Sequence, residues 1–294
     1  MLSCFKSNPK HPWVYMTIFH TFPDMTFHTK LQHIVEKNSS LLCVGLDIDK
    51  EKTPSFLLKS SDNPLLDFAS SIIDVTKDLV CSYKLNLAFY ESMGEPGMKF
   101  LSTIVQTIPD DILVILDGKR NDIGNTARHY AKALFEYYHA DAVTLNPYLG
   151  SDSIIPFLQY KNTCSFILCR TSNQSAPEFQ NLIADNKPLY EHVAQHIVSW
   201  NKKGTCGAVV GATYPDELKK IRSILGESIP ILIPGIGAQG GDLKQAVTNG
   251  TNSNGEMALI TSSRGIIYAG KEKDFAEHSR KAAETLRDDI NAFR

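Results

Sequence analysis

Eight times along the chain a short apolar, β-branched run gives way to a longer stretch with apolar residues at helical spacing, and that alternation limits what the chain can fold into. The runs are LLCVGLD (41–47), CSYKLNLAF (81–89), ILVIL (112–116), DAVTLNP (141–147), CSFILCRTS (164–172), CGAVVGAT (206–213), IPILIPGIG (229–237) and MALITSSRG (257–265). Helical periodicity fills the gaps: Phe27, Leu31, Ile34 and Val35 before the first run, Pro64 to Val80 after it, Met98 to Ile108, and Ile123 to about His139. It continues at Ile154 to Leu158, Leu189 to Trp200, Leu218 to Leu225, Leu243 to Val247 and Glu272 to Phe293. Eight such units in about 270 residues match the count and size of a TIM (β/α)8 barrel. The rival is an open doubly wound sheet, which calls for a dinucleotide fingerprint after the first strand, and Gly45-Leu46-Asp47 is not one.

Composition narrows the function classes. The 294 residues are 43% hydrophobic and 21% charged with a formal net charge of -2, so there is no basic footprint for nucleic acid and no acidic tail. A small-molecule substrate is the expectation. Six cysteines occur singly, five of them (Cys43, Cys81, Cys164, Cys169, Cys206) inside apolar runs, a pattern of reduced core thiols in a cytoplasmic protein rather than of disulfides or zinc. Residues 1–24 lack periodicity, and their one apolar run, Trp13 to Phe19, is too short to span a bilayer. They read as a disordered or spurious extension before a barrel domain over residues 25–294, with Met25 as a natural start. Asn173 to Lys187 is polar and longer than most βα loops, which marks a lid or binding loop.

The chemistry gathers where strands end. In ILVILDGKRNDIGNT (112–126) the apolar run leads at once into Asp117, Lys119 and Asp122. Asp117 and Lys119 lie two apart, so an extended backbone sends both side chains off one face, while Asp122 falls at the mouth of the next helix. Taken alone, such a cluster reads equally well as surface ion pairing. Its setting favours chemistry: Asp47 ends the first run, Lys84 and Asn86 share a face of the second, Ser172 ends the fifth, and Gln239 and Arg264 follow the seventh and eighth. Barrels place their active sites at these strand ends. The glycine-rich GIGAQGGD after the seventh run, with Arg264 after the eighth, is the usual barrel grip on a phosphate, whereas a glycine loop alone is equally a tight turn.

KLNLAF, LDGKRNDIGNT, PGIGAQGGD and SSRGI, in this order and spacing, resemble the orotidine 5′-phosphate decarboxylase family, in its longer branch, from about Thr26 to the C-terminus. The resemblance implies decarboxylation of orotidine 5′-phosphate to UMP, the last step of de novo pyrimidine synthesis, with no cofactor and no metal. It implies that Lys84, Asp117 and Lys119 surround the pyrimidine C6, and that Asp122 is lent to the neighbouring subunit of a homodimer. Substrate contacts follow at Asp47, Asn86, Ile123, Thr126, Ser172, Pro234, Gln239, Ser263 and Arg264, with Thr126 reaching across the dimer and Gln239 and Arg264 on the phosphate. Ser263 departs from the glycine that many relatives carry, and the first 24 residues have no counterpart in the family. Two other functions remain open from sequence: a magnesium-dependent sugar-phosphate decarboxylase or aldolase sharing D-x-K-x-x-D, and a non-catalytic phosphate-binding barrel.

Overall fold

The apolar runs pair into a closed, wholly parallel barrel of eight strands. In the computed structural model, which describes residues 25–236 and 241–294, these are β1 (Leu42–Gly45), β2 (Ser82–Asn86), β3 (Leu113–Arg120), β4 (Ala142–Leu145), β5 (Cys164–Arg170), β6 (Cys206–Val210), β7 (Ile231–Ile233) and β8 (Ala258–Ser262). They follow one another around the wall and β8 closes on β1, with Leu42 opposite Ile260. Most strand residues are buried on both faces, which is why they read as continuous apolar runs rather than alternating ones. The expected TIM barrel is therefore the observed fold. The expectations for residues 1–24 and for Gln239 lie outside the described residues. Cys43, Cys81, Cys164, Cys169 and Cys206 are buried free thiols, and among the described residues no helix is long and apolar enough to cross a membrane.

Several boundaries differ from the sequence reading, each for a local reason. CSYKLNLAF does not stay extended: β2 stops at Asn86, whose side-chain oxygen accepts the Ala88 N–H at 3.2 Å and caps a short helix, Leu87–Glu91. β3 runs beyond its apolar stretch to Arg120, because Asp117 still pairs with Asn86 of β2 and Arg120 with Leu145 of β4. The helix expected to reach His139 is α-helical over Gly124–Lys132 and ends in a π-helical turn, Ala133–Tyr137. The helix from Pro64 ends at Thr76 rather than Val80. A 3-10 turn at Lys50–Lys52 and a helix at Ser55–Ser60 were not visible in the periodicity. The polar stretch after β5 has structure of its own: a turn of helix, Pro177–Gln180, and a hairpin pairing Ile183–Ala184 with Lys187–Pro188. Asp185 and Asn186 at its tip have φ of 47° and 60°, the left-handed pair that a tight hairpin turn needs.

One end of the barrel is closed by the helix Phe27–Asn38. It lies across the N-terminal ends of the strands: His28 bonds the Ser228 carbonyl, Asn38 donates to the Lys77 and Val80 carbonyls, and the Phe27 ring packs edge-on to Phe166 of β5 at 5.8 Å. Lys30 donates to both oxygens of Asp141 at 2.7 and 2.9 Å, and that carboxylate also accepts the Val114 N–H at 2.8 Å. Ligands must therefore enter from the opposite, C-terminal mouth.

The Lys30–Asp141 pair makes the closure testable. Burial pushes the Asp141 carboxyl pKa up, and Lys30 is the main group opposing that rise. Lys30→Met is expected to destabilise the fold by about 1.5 to 3 kcal/mol at neutral pH. Without Lys30 the folded-state pKa rises further above the unfolded value, so the loss is expected to shrink as the pH falls to about 5 and Asp141 takes up a proton. Urea unfolding of parent and variant at about pH 7.5 and about pH 5 reads both effects; an equal loss at the two values would contradict this account.

Candidate active site

β2 and β3 place three charges of alternating sign on the inside of the mouth. Lys84 lies opposite Ile115, and Asn86 opposite Asp117, so Asp117 stands two positions further along the strands than Lys84 and the two side chains meet on a diagonal. The Asp117 carboxylate sits between two ammonium groups: Lys84 Nζ is 3.0 Å from Oδ2 and Lys119 Nζ is 2.7 Å from Oδ1. Lys84 and Asp117 are only 6% and 8% exposed, whereas the Lys119 side chain is 47% exposed and opens to the cavity. The expected convergence of Asp117 and Lys119 is present, but not by simple alternation. Lys119 has φ of 45°, in the left-handed region, and the β3–β4 register shifts between Leu116 and Arg120.

Charge and burial act against each other here, and charge prevails. Burial alone would lower the pKa of the Lys84 ammonium; the Asp117 and Asp47 carboxylates outweigh it and hold the group above its ordinary value. Burial likewise pushes the Asp117 carboxyl up, and Lys84 and Lys119 overcome that, holding it well below the usual carboxylate range. Both groups stay ionised at neutral pH.

Asp47 completes the line from β1. Its Oδ1 is 3.9 Å from Lys84 Nζ, and is a buried oxygen with no hydrogen-bond partner among the described residues. Its Oδ2 accepts the Ser263 hydroxyl at 2.8 Å, a hydroxyl that also lies 3.0 Å from the Gly45 carbonyl, so within the chain Ser263 helps to orient Asp47. That contact depends on Gly45, where a Cβ would stand 2.8 Å from Ser263 Cβ. Tyr268 adds a hydroxyl bond to the Asp47 carbonyl at 3.1 Å.

The array forms one wall of a cavity of about 440 Å³ that also takes in Thr144, Ser172 and Pro234. On the other side of the Asp47–Lys84 contact is a pocket of about 240 Å³ holding Arg264, Lys52 and Phe89. Arg264 is exposed at the start of the short helix Arg264–Ile267, and makes no ion pair among the described residues. Gly235, with φ of 104°, turns the chain out of β7, and its carbonyl accepts the Gly241 N–H at 3.2 Å.

Besides Ser263, four expected positions line neither of these two cavities. Asn86 sits beside Asp117 in register, but its side-chain oxygen is engaged as a helix cap. Asp122 is half-buried on the rim, with Oδ1 accepting the N–H of Ile123, and neither it nor Thr126 lines the cavity of the same chain. Ile123 is 52% exposed.

The structure adds residues that the sequence reading missed. Thr144, the lone hydroxyl in an apolar β4, donates to Asp117 Oδ1 at 2.8 Å. Gln180 of the lid accepts the Thr171 N–H at 2.8 Å and donates to the Thr171 hydroxyl at 2.8 Å, which pins the lid to the end of β5 beside Ser172. Behind it Arg170 is fully buried, its guanidinium 3.6 Å from the centre of the Tyr214 ring. Among the described residues no group of three or more His, Cys, Asp or Glu side chains is placed to hold a metal ion.

A fixed line of charges at the wall of a small cavity, with the exposed cation of Arg264 in the adjoining pocket, suits stabilising a carbanion on a small anionic substrate. Known proteins agree with that chemistry. Residues 40–278 match the model of the Orotidine 5′-phosphate decarboxylase / HUMPS family. The orotidine 5′-phosphate decarboxylase of Dehalococcoides mccartyi is 47% identical over 274 residues, covering 92% of this chain and 99% of that one. Among solved structures, Leishmania donovani OMP decarboxylase superposes with a TM-score of 0.80 at 35% identity, covering 92% of this chain and 98% of its own. Leishmania donovani UMP synthase gives 0.82 at 37% identity, covering 92% of this chain, which spans only 57% of that longer protein. With the match extending over most of the chain and including the charged array, the chain belongs to the orotidine 5′-phosphate decarboxylase family.

Proposed function

We propose that the Lys84–Asp117–Lys119 line carries out the decarboxylation of orotidine 5′-phosphate to UMP without a cofactor, in a cytoplasmic homodimer whose two sites share Asp122. The observation that carries this reading is the Asp117 carboxylate held ionised between two ammonium groups at a cavity wall. The reaction breaks the bond from C6 to the carboxylate carbon; carbon dioxide leaves, and the electron pair stays on C6 in an orbital with no π-acceptor. Lys119, the most exposed member of the array, stabilises that pair and then gives it a proton, and solvent restores the ammonium. Asp117 and Lys84 do not exchange protons in this scheme. They fix the position of Lys119 and the charge that faces the substrate. Arg264 and the loop around Gly235 take the phosphate, remote from the bond that breaks, so its binding energy serves to close the lid.

The dimer accounts for the residues that stand apart. Asp122 is on the rim beside an exposed apolar surface: Ile123, Tyr130, Tyr148, Leu149 and Ile155 are all exposed large side chains on the β3–β4 side of the barrel. A patch of this kind suits a two-fold contact that carries Asp122 and Thr126 into the partner's mouth. No nucleic-acid partner is proposed, since a net charge of -2 offers phosphate backbones no attraction.

Three outcomes test this. Lys119→Ala is expected to abolish the absorbance change as orotidine 5′-phosphate becomes UMP while leaving the melting temperature near that of the parent; appreciable turnover by the folded variant would remove Lys119 from the role of proton donor. Arg264→Ala is expected to weaken UMP binding by roughly 10- to 100-fold, the effect of one charge-assisted contact. Unchanged UMP affinity by calorimetry would take Arg264 out of the phosphate grip.

The third is subunit exchange between inactive Lys119→Ala and Asp122→Ala proteins. If Asp122 acts in the partner's site, each mixed dimer holds one doubly defective and one intact site. Random pairing makes about half the dimers mixed, so roughly a quarter of all sites recover. No recovery after a tagged-subunit pull-down has demonstrated exchange would exclude the shared site.

A further inference from the structure

The β3–β4 ladder fails where the site needs it most. Leu116 pairs with Val143 and Arg120 with Leu145, so four steps along β3 are set against two along β4, and the excess falls on Asp117, Gly118 and Lys119. This stretch has lost the regular backbone pairing that would hold it to β4. Lys119 is in addition left-handed at φ 45°, a conformation that a long side chain adopts only when its surroundings impose it.

One side chain supplies what the ladder lacks. The Lys119 N–H donates to Thr144 Oγ1 at 2.9 Å, and the Thr144 hydroxyl gives its only proton to Asp117 Oδ1 at 2.8 Å. The same oxygen accepts the Lys119 ammonium at 2.7 Å. Backbone, hydroxyl, carboxylate and ammonium thus form a closed ring, and Thr144, 2% exposed, lines the cavity. A hydroxyl is needed here, because the residue must accept from an N–H and donate to a carboxylate at once. Valine fills the same space and does neither.

We propose that Thr144 is a positioning residue for decarboxylation: its hydroxyl fixes the backbone of Lys119 and the carboxylate of Asp117 in one geometry, so that the ammonium is already aimed when substrate binds. This rests on the proposed role of Lys119 as proton donor. Thr144 acts through Lys119 and Asp117, so its loss is expected to appear in kcat rather than in ground-state binding.

The test uses the full chain with Thr144→Val and Thr144→Ser, measuring kcat, KM, UMP affinity and melting temperature beside the parent. Thr144→Val is expected to lose about 100-fold in kcat, the usual scale for a reacting group displaced by about 1 Å, with KM and UMP affinity within about threefold. Thr144→Ser, which keeps the hydroxyl, is expected to stay within about threefold of the parent in kcat. A valine variant with parental kcat, equal losses in valine and serine, or a loss confined to KM would each overturn the proposal. Where the valine protein does not fold, Thr144→Ala takes its place with the same readouts. A parent that turns over orotidine 5′-phosphate while the valine variant keeps pace defeats Thr144 alone; a parent without turnover defeats the reading of the reaction and Thr144 with it.

Discussion

The site depends on one carboxylate. Asp117 is nearly buried, and burial by itself would drive it to take up a proton. A neutral Asp117 would leave Lys84 and Lys119 as like charges facing one cavity without the anion between them, and Lys84, itself buried, would then be under pressure to lose its proton. The two ammonium groups keep the carboxylate ionised and the carboxylate keeps Lys84 charged, so each group's state is conditional on the other. Low local dielectric makes the coupling strong enough to outweigh desolvation.

That coupling explains why so many polar side chains at the strand ends are hydrogen-bonded to one another or to backbone. Asp47 is held by Ser263, and its carbonyl by Tyr268. Asp117 is held by Thr144, and Asn86 ends β2 by capping the next turn. Each of these bonds removes a rotamer from a group whose position sets the field on the substrate. The barrel supplies the level at which the charges meet through its register, while the polar side chains supply the orientation.

Sequence reading recovers the parts of this that depend on periodicity. Strands buried on both faces leave uninterrupted apolar runs, so β1 to β8 were all legible, and the charges at the ends of β1, β2 and β3 pointed to the mouth. Strand ends were less legible. Leu87 to Phe89 continue the apolar text of β2 but fold as helix, because a local cap at Asn86 satisfies backbone N–H groups that a longer strand would leave unpaired. Thr144 escaped notice because a threonine in a strand is ordinarily read as a β-former, and nothing in DAVTLNP says that its hydroxyl faces Asp117. The Lys119 conformation was hidden for a related reason: a two-residue spacing predicts a common face only when the ladder is regular, and here it is not. Asp122 was placed at the rim by its position after the strand and Thr126 entered only through the family resemblance, and in a single chain neither lines the two cavities at the mouth.

The two sides of the mouth are built to different standards of rigidity, and the difference follows what each must do. On the β1–β4 side charge has to be in place before the bond breaks, since a dipole that reorients during the reaction gives back part of the stabilisation it offers. Buried ions, short ion pairs and a closed hydrogen-bond ring meet that need. The β5–β8 side must first admit a ligand. There the loop after β5 is tied by Gln180 to the end of β5 and by the Ala184 carbonyl to His192, Gly235 gives the chain its turn, and Arg264 stands exposed without an ion pair among the described residues. A cation left unpaired on that side has no internal bond to break before meeting a phosphate, so most of its interaction energy is available for closure. On the proposed reading of the site, adaptable contacts take the phosphate and rigid ones face C6, so substrate binding would order the loop after β5 without disturbing the geometry on which proton delivery depends.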